Sequence, residues 1–459
     1  MNIPRMDSRA TTALSPYPAS LWALSVMSAA LLAGCGGSDE PRLPQLAAAA
    51  PGTLKACADL ASSINFPNTR ITTAVPVAAG ALKVAGKDIA PHCRVTGNMF
   101  DRVGPVDGKK YAIGFEMRLP TAWNGRFFYQ ANGGIDGSVG TATGAVNGGG
   151  GLDNALNQGF AVISSDAGHV GSLGPSFGID PQARLDYGYQ AVAKLTPMAK
   201  RLIATAYGKG PDRSYIGGCS NGGRHAMVAA ARIGDQYDGY LVGAPGYRLP
   251  NAAMAQLWGV QQWAPLATPG ATVKHPLAPN VNIADLGSAL TAAERQTVAG
   301  ALLDKCDALD GLRDGMVQAT QACQAAFDIR RDVAACGTAG RNGACLTPAQ
   351  KDVLATAFAG ATTRSGRALY SAFPMDAGIA GANWAQWKFV NALALDPLSV
   401  GTVFSSPPAP VDAMKEDLDA RMTLLAATNA TYRESGISLM SPPGHESAAG
   451  MAALQARGA

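Results

Sequence analysis

Ser214-Tyr215-Ile216-Gly217-Gly218-Cys219-Ser220-Asn221-Gly222-Gly223-Arg224-His225-Ala226 is the stretch on which the fold turns. Ser214 to Ile216 is a short apolar run that ends on glycines, and from Gly223 to Arg232 the pattern is helical. Between them Gly218-Cys219-Ser220-Asn221-Gly222 fits Gly-x-Ser-x-Gly. In that turn the serine is held in a strained conformation with its hydroxyl exposed at the helix N-terminus. The glycines let strand and helix approach closely. The Asn221 amide then points at the oxygen of a reacting carbonyl, and a glycine loop after an earlier strand, Asn132-Gly133-Gly134, offers a second donor. An ordinary tight turn also satisfies the pentapeptide; strand, helix and second loop together make Ser220 a candidate nucleophile.

Outward from this turn, the odd positions Tyr111 to Leu119 are all apolar, the period of a half-buried strand. Arg126 to Tyr129, Phe160 to Ile163 and Tyr240 to Val242 are short apolar runs that end in small-residue turns and read as buried strands. Ala183 to Tyr207 repeats apolar residues at helical spacing, with a kink expected at Pro197. Helix after strand implies an α/β fold, a mostly parallel sheet with helices on its faces. Residues 250–420 lose the strand rhythm and show helical stretches at Ala292 to Leu303 and Pro348 to Phe358, which predicts an inserted lid domain. Residues 52–249 are then the first part of the core and 421–459 the return towards it.

The chain holds 54 Gly and 29 Pro among 459 residues and is 47% apolar, which excludes a coiled coil, a helical bundle and a disordered chain. Its net charge of +4 comes with no basic stripe, so nucleic acid is not an expected partner. Arg5 and Arg9, the apolar run Leu21 to Leu32 and Leu32-Ala33-Gly34-Cys35 have the layout of an export signal. The apolar run is shorter than the roughly 20 residues that span a bilayer. The tetrapeptide resembles a bacterial lipobox: residues 1–34 are expected to be removed, Cys35 lipidated as the only membrane attachment, and 35–51 left as a tether, giving an exported lipoprotein, periplasmic or anchored in the outer membrane, with the cell surface as the alternative. In an oxidising compartment the remaining cysteines read as disulfides. Cys57 with Cys93, Cys306 with Cys323 and Cys336 with Cys345 form three local pairs, and Cys219 is left over.

Trp123-Asn124-Gly125-Arg126-Phe127-Phe128, Ser165-Asp166-Ala167-Gly168-His169, the run Phe177 to Asp186, the Gly-Cys-Ser-x-Gly-Gly elbow and Gly243-Ala244-Pro245-Gly246 resemble the tannase and feruloyl esterase family of α/β hydrolases from about Cys57 onward. The resemblance implies that Ser220 is the nucleophile, that Gly134 and Asn221 are the oxyanion donors, and that Cys219 is half of a disulfide whose other cysteine follows the catalytic histidine. It also implies a structural Ca2+ in the lid, because Cys306 to Met316 is similar to the family's calcium loop. Asp307, Asp310 and Asp314 would supply carboxylates there, and Leu312 and Met316 carbonyls. Family members hydrolyse esters of aromatic acids such as gallate, ferulate or the terephthalate monoester. Trp384 and Trp387 are candidates for an aromatic wall and equally for lid core. The terephthalate branch uses a lid arginine, and residues 388–415 contain none.

In this fold the order is serine, acid, histidine. Only His225, His275 and His445 follow Ser220, and none precedes a cysteine. His225 lies five residues into the elbow helix and cannot fold back on Ser220, so each of the three is expected to be a surface or loop histidine. Thr428 to Pro443 and Met451 to Gly458 look like the stretch before the family's catalytic Asp. The expectation is a chain that stops before the last core strands, the acid, the base and the clamp's second cysteine, with little or no turnover as written. The alternative is an inactive member or a calcium-stabilised binding lipoprotein.

Overall fold

Alternation from Tyr111 to Leu119 puts Ile113, Phe115, Met117 and Leu119 in the core, each at most 2% exposed. In this computed structural model, which describes residues 47–145, 154–171 and 174–441 and positions 452 and 455, that segment is one of seven strands in one sheet. They are β1 (Thr69–Val77), β2 (His92–Val103), β3 (Lys110–Pro120), β4 (Arg126–Ala131), β5 (Ala161–Ser165), β6 (Arg213–Cys219) and β7 (Gly239–Gly243). The spatial order is β7-β6-β4-β5-β3-β2-β1. Cys35 and the export signal, and His445, lie outside the described residues.

The expected α/β core is present, but its sheet is mixed rather than mostly parallel. β5, β4, β6 and β7 pair in parallel. β1, β2, β3 and β5 pair antiparallel. The short link 104–109 between β2 and β3 leaves no room for a crossover helix, so these strands return as a hairpin. The parallel half carries the serine turn.

Helix α1 (Ala191–Tyr207) buries Leu195, Met198, Leu202 and Ile203 with Phe115, Met117, Phe127, Ile163 and Ile216 of the sheet. Trp123 stacks on Tyr207 at its end, ring centroids 4.4 Å apart. α1 continues through Pro197; the break falls earlier, at Asp186–Gln190, where the helix widens after a short turn Pro181–Leu185 capped by Asp180. Asp180 also takes a paired contact from the Arg102 guanidinium, 2.9 and 2.5 Å.

Helix α2 (Asn221–Arg232) follows β6 directly. Residues 250–420 add no strand to the main sheet. They hold most of α3 (Leu249–Trp263) and all of α4 (Ala292–Cys306) and α5 (Pro348–Ala359); Thr291 with Glu294 and Thr347 with Gln350 close capping boxes on α4 and α5. The segment was expected to lack strands, yet Thr272–His275 and Ala278–Ala284 form a hairpin. Its residues are mostly exposed, so it lacks the apolar alternation that marks a buried strand. Buried Arg184 ties this part to the core, donating to the Ser405 carbonyl (3.0 Å) and Ser406 Oγ (3.2 Å). Among the described residues no helix is long and apolar enough to cross a membrane.

Candidate active site

Ser220 sits at the tip of β6 with φ +61° and ψ −120°, a conformation that costs an L residue on the order of 1–3 kcal/mol. The turn is held from both sides. The Ser220 amide donates to the Gly243 carbonyl at 3.0 Å, and the amides of Arg224 and Gly246 donate to the Ser220 carbonyl at 3.0 and 3.2 Å. The glycines are sterically required: a Cβ on Gly218 or Gly222 would stand 2.5 or 2.3 Å from the Ala131 carbonyl oxygen, and one on Gly223 would stand 2.3 Å from that of Gly243. Ser220 is exposed, and among the described residues its hydroxyl has no hydrogen-bond partner.

The loop after β4 faces this turn. A Cβ on Gly133 would lie 4.0 Å from that of Ser220, and Gly134 follows with φ +67°. Asn132 anchors the loop through Ser164 Oγ (3.0 Å) and the Ser165 carbonyl (2.8 Å), and the Asp136 amide closes it on the Gly133 carbonyl at 3.3 Å. The structure thus brings Ser220, Asn221 and the Gly133-Gly134 loop together.

Behind the serine lies a buried polar cluster that sequence reasoning missed. Asp136 Oδ2 accepts from Asn221 Nδ2 at 2.7 Å and stands 2.8 Å from His225 Nε2. Asn221 Oδ1 accepts from Arg224 Nε (2.9 Å) and Nη2 (2.6 Å). Arg224 also donates to the carbonyls of Tyr187 and Gly188 and lies over the Tyr187 ring. All four side chains are at most 6% exposed. His225 is therefore not a surface histidine: the buried face of α2 carries it into the core, and burial, then Arg224, push its pKa down so that it is neutral. His275 is a half-buried hairpin residue whose Nδ1 accepts from the Leu277 amide. The available signal was an Asp in the glycine loop and Arg-His in the elbow helix of a chain only 15% charged.

The three expected disulfides are present, and Cys219 is the one cysteine without a bridge among the described residues. The two tryptophans separate. Trp384 packs on Phe358 and Phe389 and lines a cavity of about 400 Å³, whereas Trp387 is 48% exposed and does not line it. In the acidic loop, Asp307 accepts from the amides of Asp314 and Gly315, Asp310 from those of Leu312 and Gln318, and Asp314 from that of Met316. Among the described residues no three acidic, His or Cys side chains gather as a metal-binding group.

Parallel strands feeding helices, with an exposed serine at a strained strand-to-helix turn, define an α/β-hydrolase fold. The family comparison is specific. The chain belongs to the tannase and feruloyl esterase family, whose profile matches residues 93–420. It is 34% identical over 411 residues to a mono(2-hydroxyethyl) terephthalate hydrolase of Piscinibacter sakaiensis, covering 79% of this chain and 66% of that protein. It is 30% identical over 255 residues to a probable feruloyl esterase B-1 of Aspergillus fumigatus, covering 56% of this chain and 43% of that protein. The chain thus spans less than two thirds of either relative. Its fold superposes on the crystal structure of feruloyl esterase B from Aspergillus oryzae with a TM-score of 0.64 at 24% identity, covering 83% of this chain and 70% of that one.

Asp166, at the end of β5 beside this loop, gives the site a pH signature. Burial is the main cause that pushes its carboxyl up to about 7, against amides from Gly168 (2.9 Å) and Gly114 (3.0 Å) that favour the anion. A folded pKa above the unfolded one near 3.8 means a contribution fully present below about pH 4 and lost as pH rises through about 7. Asp166→Asn keeps an acceptor for both amides and cannot ionise. Its melting temperature should exceed the parent's at about pH 8, with the margin shrinking at about pH 5; an equal margin at both would refute the assignment.

Proposed function

We propose that the protein is a serine carboxylesterase acting on esters of aromatic acids, as family membership supports. The observation that carries this reading is Ser220 itself, exposed in a strained turn against a glycine loop. Its Oγ would attack the ester carbonyl. The amides of Asn221 and Gly134 would receive the oxyanion, the alcohol would leave, and water would release the acid from the acyl-serine. Removal of the hydroxyl proton needs a base, and no histidine bonds Ser220 among the described residues. That observation favours the second reading, a non-catalytic binding protein of the same fold. Hydrolysis of a chromogenic phenolic ester by the full-length protein, abolished in Ser220→Ala, is the expected outcome; no turnover, or turnover that survives the substitution, removes the esterase reading.

The acyl group is assigned to the cavity of about 400 Å³ walled by Trp258, Trp263, Phe358, Tyr370, Phe373 and Trp384. Its wall is joined to the elbow, since the Tyr370 hydroxyl donates to the Tyr247 carbonyl at 2.9 Å and the neighbouring Gly246 amide bonds Ser220. Lys388 lines the same cavity, its Nζ 4.6 Å from the centroid of the Phe373 ring and 3.4 Å from Gln256 Oε1. It has no ion pair among the described residues. Buried Asp396 nearby is pushed up to about 8 by desolvation, and desolvation also lowers the pKa of Lys388, so a bound anionic counter-ion would favour the charged form of Lys388. An aromatic acid with a second anionic group, of the terephthalate monoester kind, supplies one, and Lys388 takes the part for which residues 388–415 offer no arginine. Lys388→Gln should lower kcat/KM for such a monoester about ten- to a hundredfold, the worth of a charged hydrogen bond, and change that for an uncharged phenolic ester little. Equal losses on both would refute the assignment.

A Ca2+ ion on the Asp307-Asp310-Asp314 loop, with the carbonyls of Leu312 and Met316, is the proposed structural cofactor. It is supported by the sequence and by the Cys306–Cys323 bridge that closes the loop. Chelation with EGTA should lower the melting temperature by several degrees and added Ca2+ restore it; an unchanged melt removes the ion. The three disulfides fit the proposed export to an oxidising compartment as a lipoprotein.

A further inference from the structure

We infer that Asp136 is a positioning residue that ties the two halves of the oxyanion site into one rigid unit; the inference rests on the serine reading above. The two donors come from different elements, Gly134 from the loop after β4 and Asn221 from the start of α2. The β4–β6 pairing sets these elements side by side but ends at Ala131 and Gly218, so the last few tenths of an ångström that an oxyanion requires depend on contacts beyond the strands. The loop turns tightly, with Gly134, Asp136 and Gly137 all at positive φ (67°, 55° and 80°). Asp136 spans the gap. It lies two residues after Gly134, and its Oδ2 accepts from the Asn221 side chain at 2.7 Å.

The cluster around this contact fixes its direction. Asn221 is held at both ends, its Nδ2 by the carboxylate and its Oδ1 by two nitrogens of Arg224, so its orientation is unambiguous. A carboxylate only accepts, so at 2.8 Å His225 Nε2 carries the proton and donates to Asp136. The 3.2 Å approach of Arg224 Nη2 to that nitrogen is then a packing contact between donors. The buried charges of Asp136 and Arg224 offset each other through Asn221 and a neutral imidazole, without a direct ion pair between them among the described residues. The residue between Gly134 and Asp136 is anchored as well: the Ile135 carbonyl stands 2.8 Å from Nε2 of buried His169, whose ring stacks on Phe177. The tether thus joins Asn221 itself to the residue two positions after Gly134.

The test reads Ser220 directly. A fluorophosphonate is attacked by Ser220 Oγ; the new O–P bond forms as the P–F bond breaks, fluoride leaves, the hydroxyl proton passes to solvent, and the phosphoryl oxygen occupies the oxyanion position. In the full-length protein, Asp136→Ala should lower the maximal labelling rate about ten- to a hundredfold. The half-saturating probe concentration should stay within about twofold, because the defect is in the transition state. Asn221→Ala should cause a similar loss, and the double variant no more than the worse single one. Asp136→Asn, which keeps size and an acceptor, should recover part of the rate and replaces Asp136→Ala in the cycle if the alanine variant does not fold. A labelling rate within about twofold of the parent, or losses that multiply in the double variant, overturns the inference while leaving the serine reading intact. Undiminished labelling of Ser220→Ala overturns both.

Discussion

The backbone of Ser220 is held at φ +61° because there is nowhere else for it to go. β6 runs between β4 and β7 in parallel, and α2 must start within one residue of the strand's end, so strand and helix meet at van der Waals distance. Gly218 and Gly222 are pressed on the Ala131 carbonyl and Gly223 on that of Gly243, distances that no side chain survives. Three glycines are thus selected by one close approach. The strain in the serine is offset by the hydrogen bonds of Ser220, Arg224 and Gly246 and by the sheet beneath. The exposed hydroxyl, the Asn221 amide beside it and the glycine loop opposite all follow from that geometry.

Charge is used sparingly and in particular places. In a chain with 15% charged residues, Asp136 and Arg224 are buried behind Ser220. Lys388 is half-buried in the aromatic cavity, near Asp396, whose carboxyl burial pushes up. In the first arrangement Asn221 and the His225 imidazole lie between the two charges; in the second a lysine faces an aromatic cavity.

Much of the core was legible because its signals are local. Period-two alternation marked β3, and short apolar runs ending in small residues marked β4 to β7. The glycine-flanked serine marked the elbow. β1 and β2 were missed because their alternation is half-exposed and interrupted by Pro76 and polar residues. With β3 they form the antiparallel half that makes the sheet mixed. His225 was misplaced because position along the elbow helix shows only that it cannot reach Ser220; the burial of that first turn, and the partner Asp136 89 residues earlier, are set by tertiary packing. Trp384 and Trp387, three apart, should share one side of an α-helix. At Gln386–Asn391 the helix widens to a π turn, which rotates Trp387 away into solvent. The disulfides were readable because each links cysteines near in sequence.

On the proposed reading, Ser220, Asn221 and Gly134 form one oxyanion-binding nucleophilic site. A crystal structure of the full-length protein with an arylboronate tests it most directly. The prediction is boron bonded to Ser220 Oγ, one boronate oxygen within about 3 Å of both the Asn221 and Gly134 amide nitrogens, and the aryl ring in the cavity beside Trp384. A boronate absent from Ser220, or bound there with its oxygen turned away from those amides, would rule that site out.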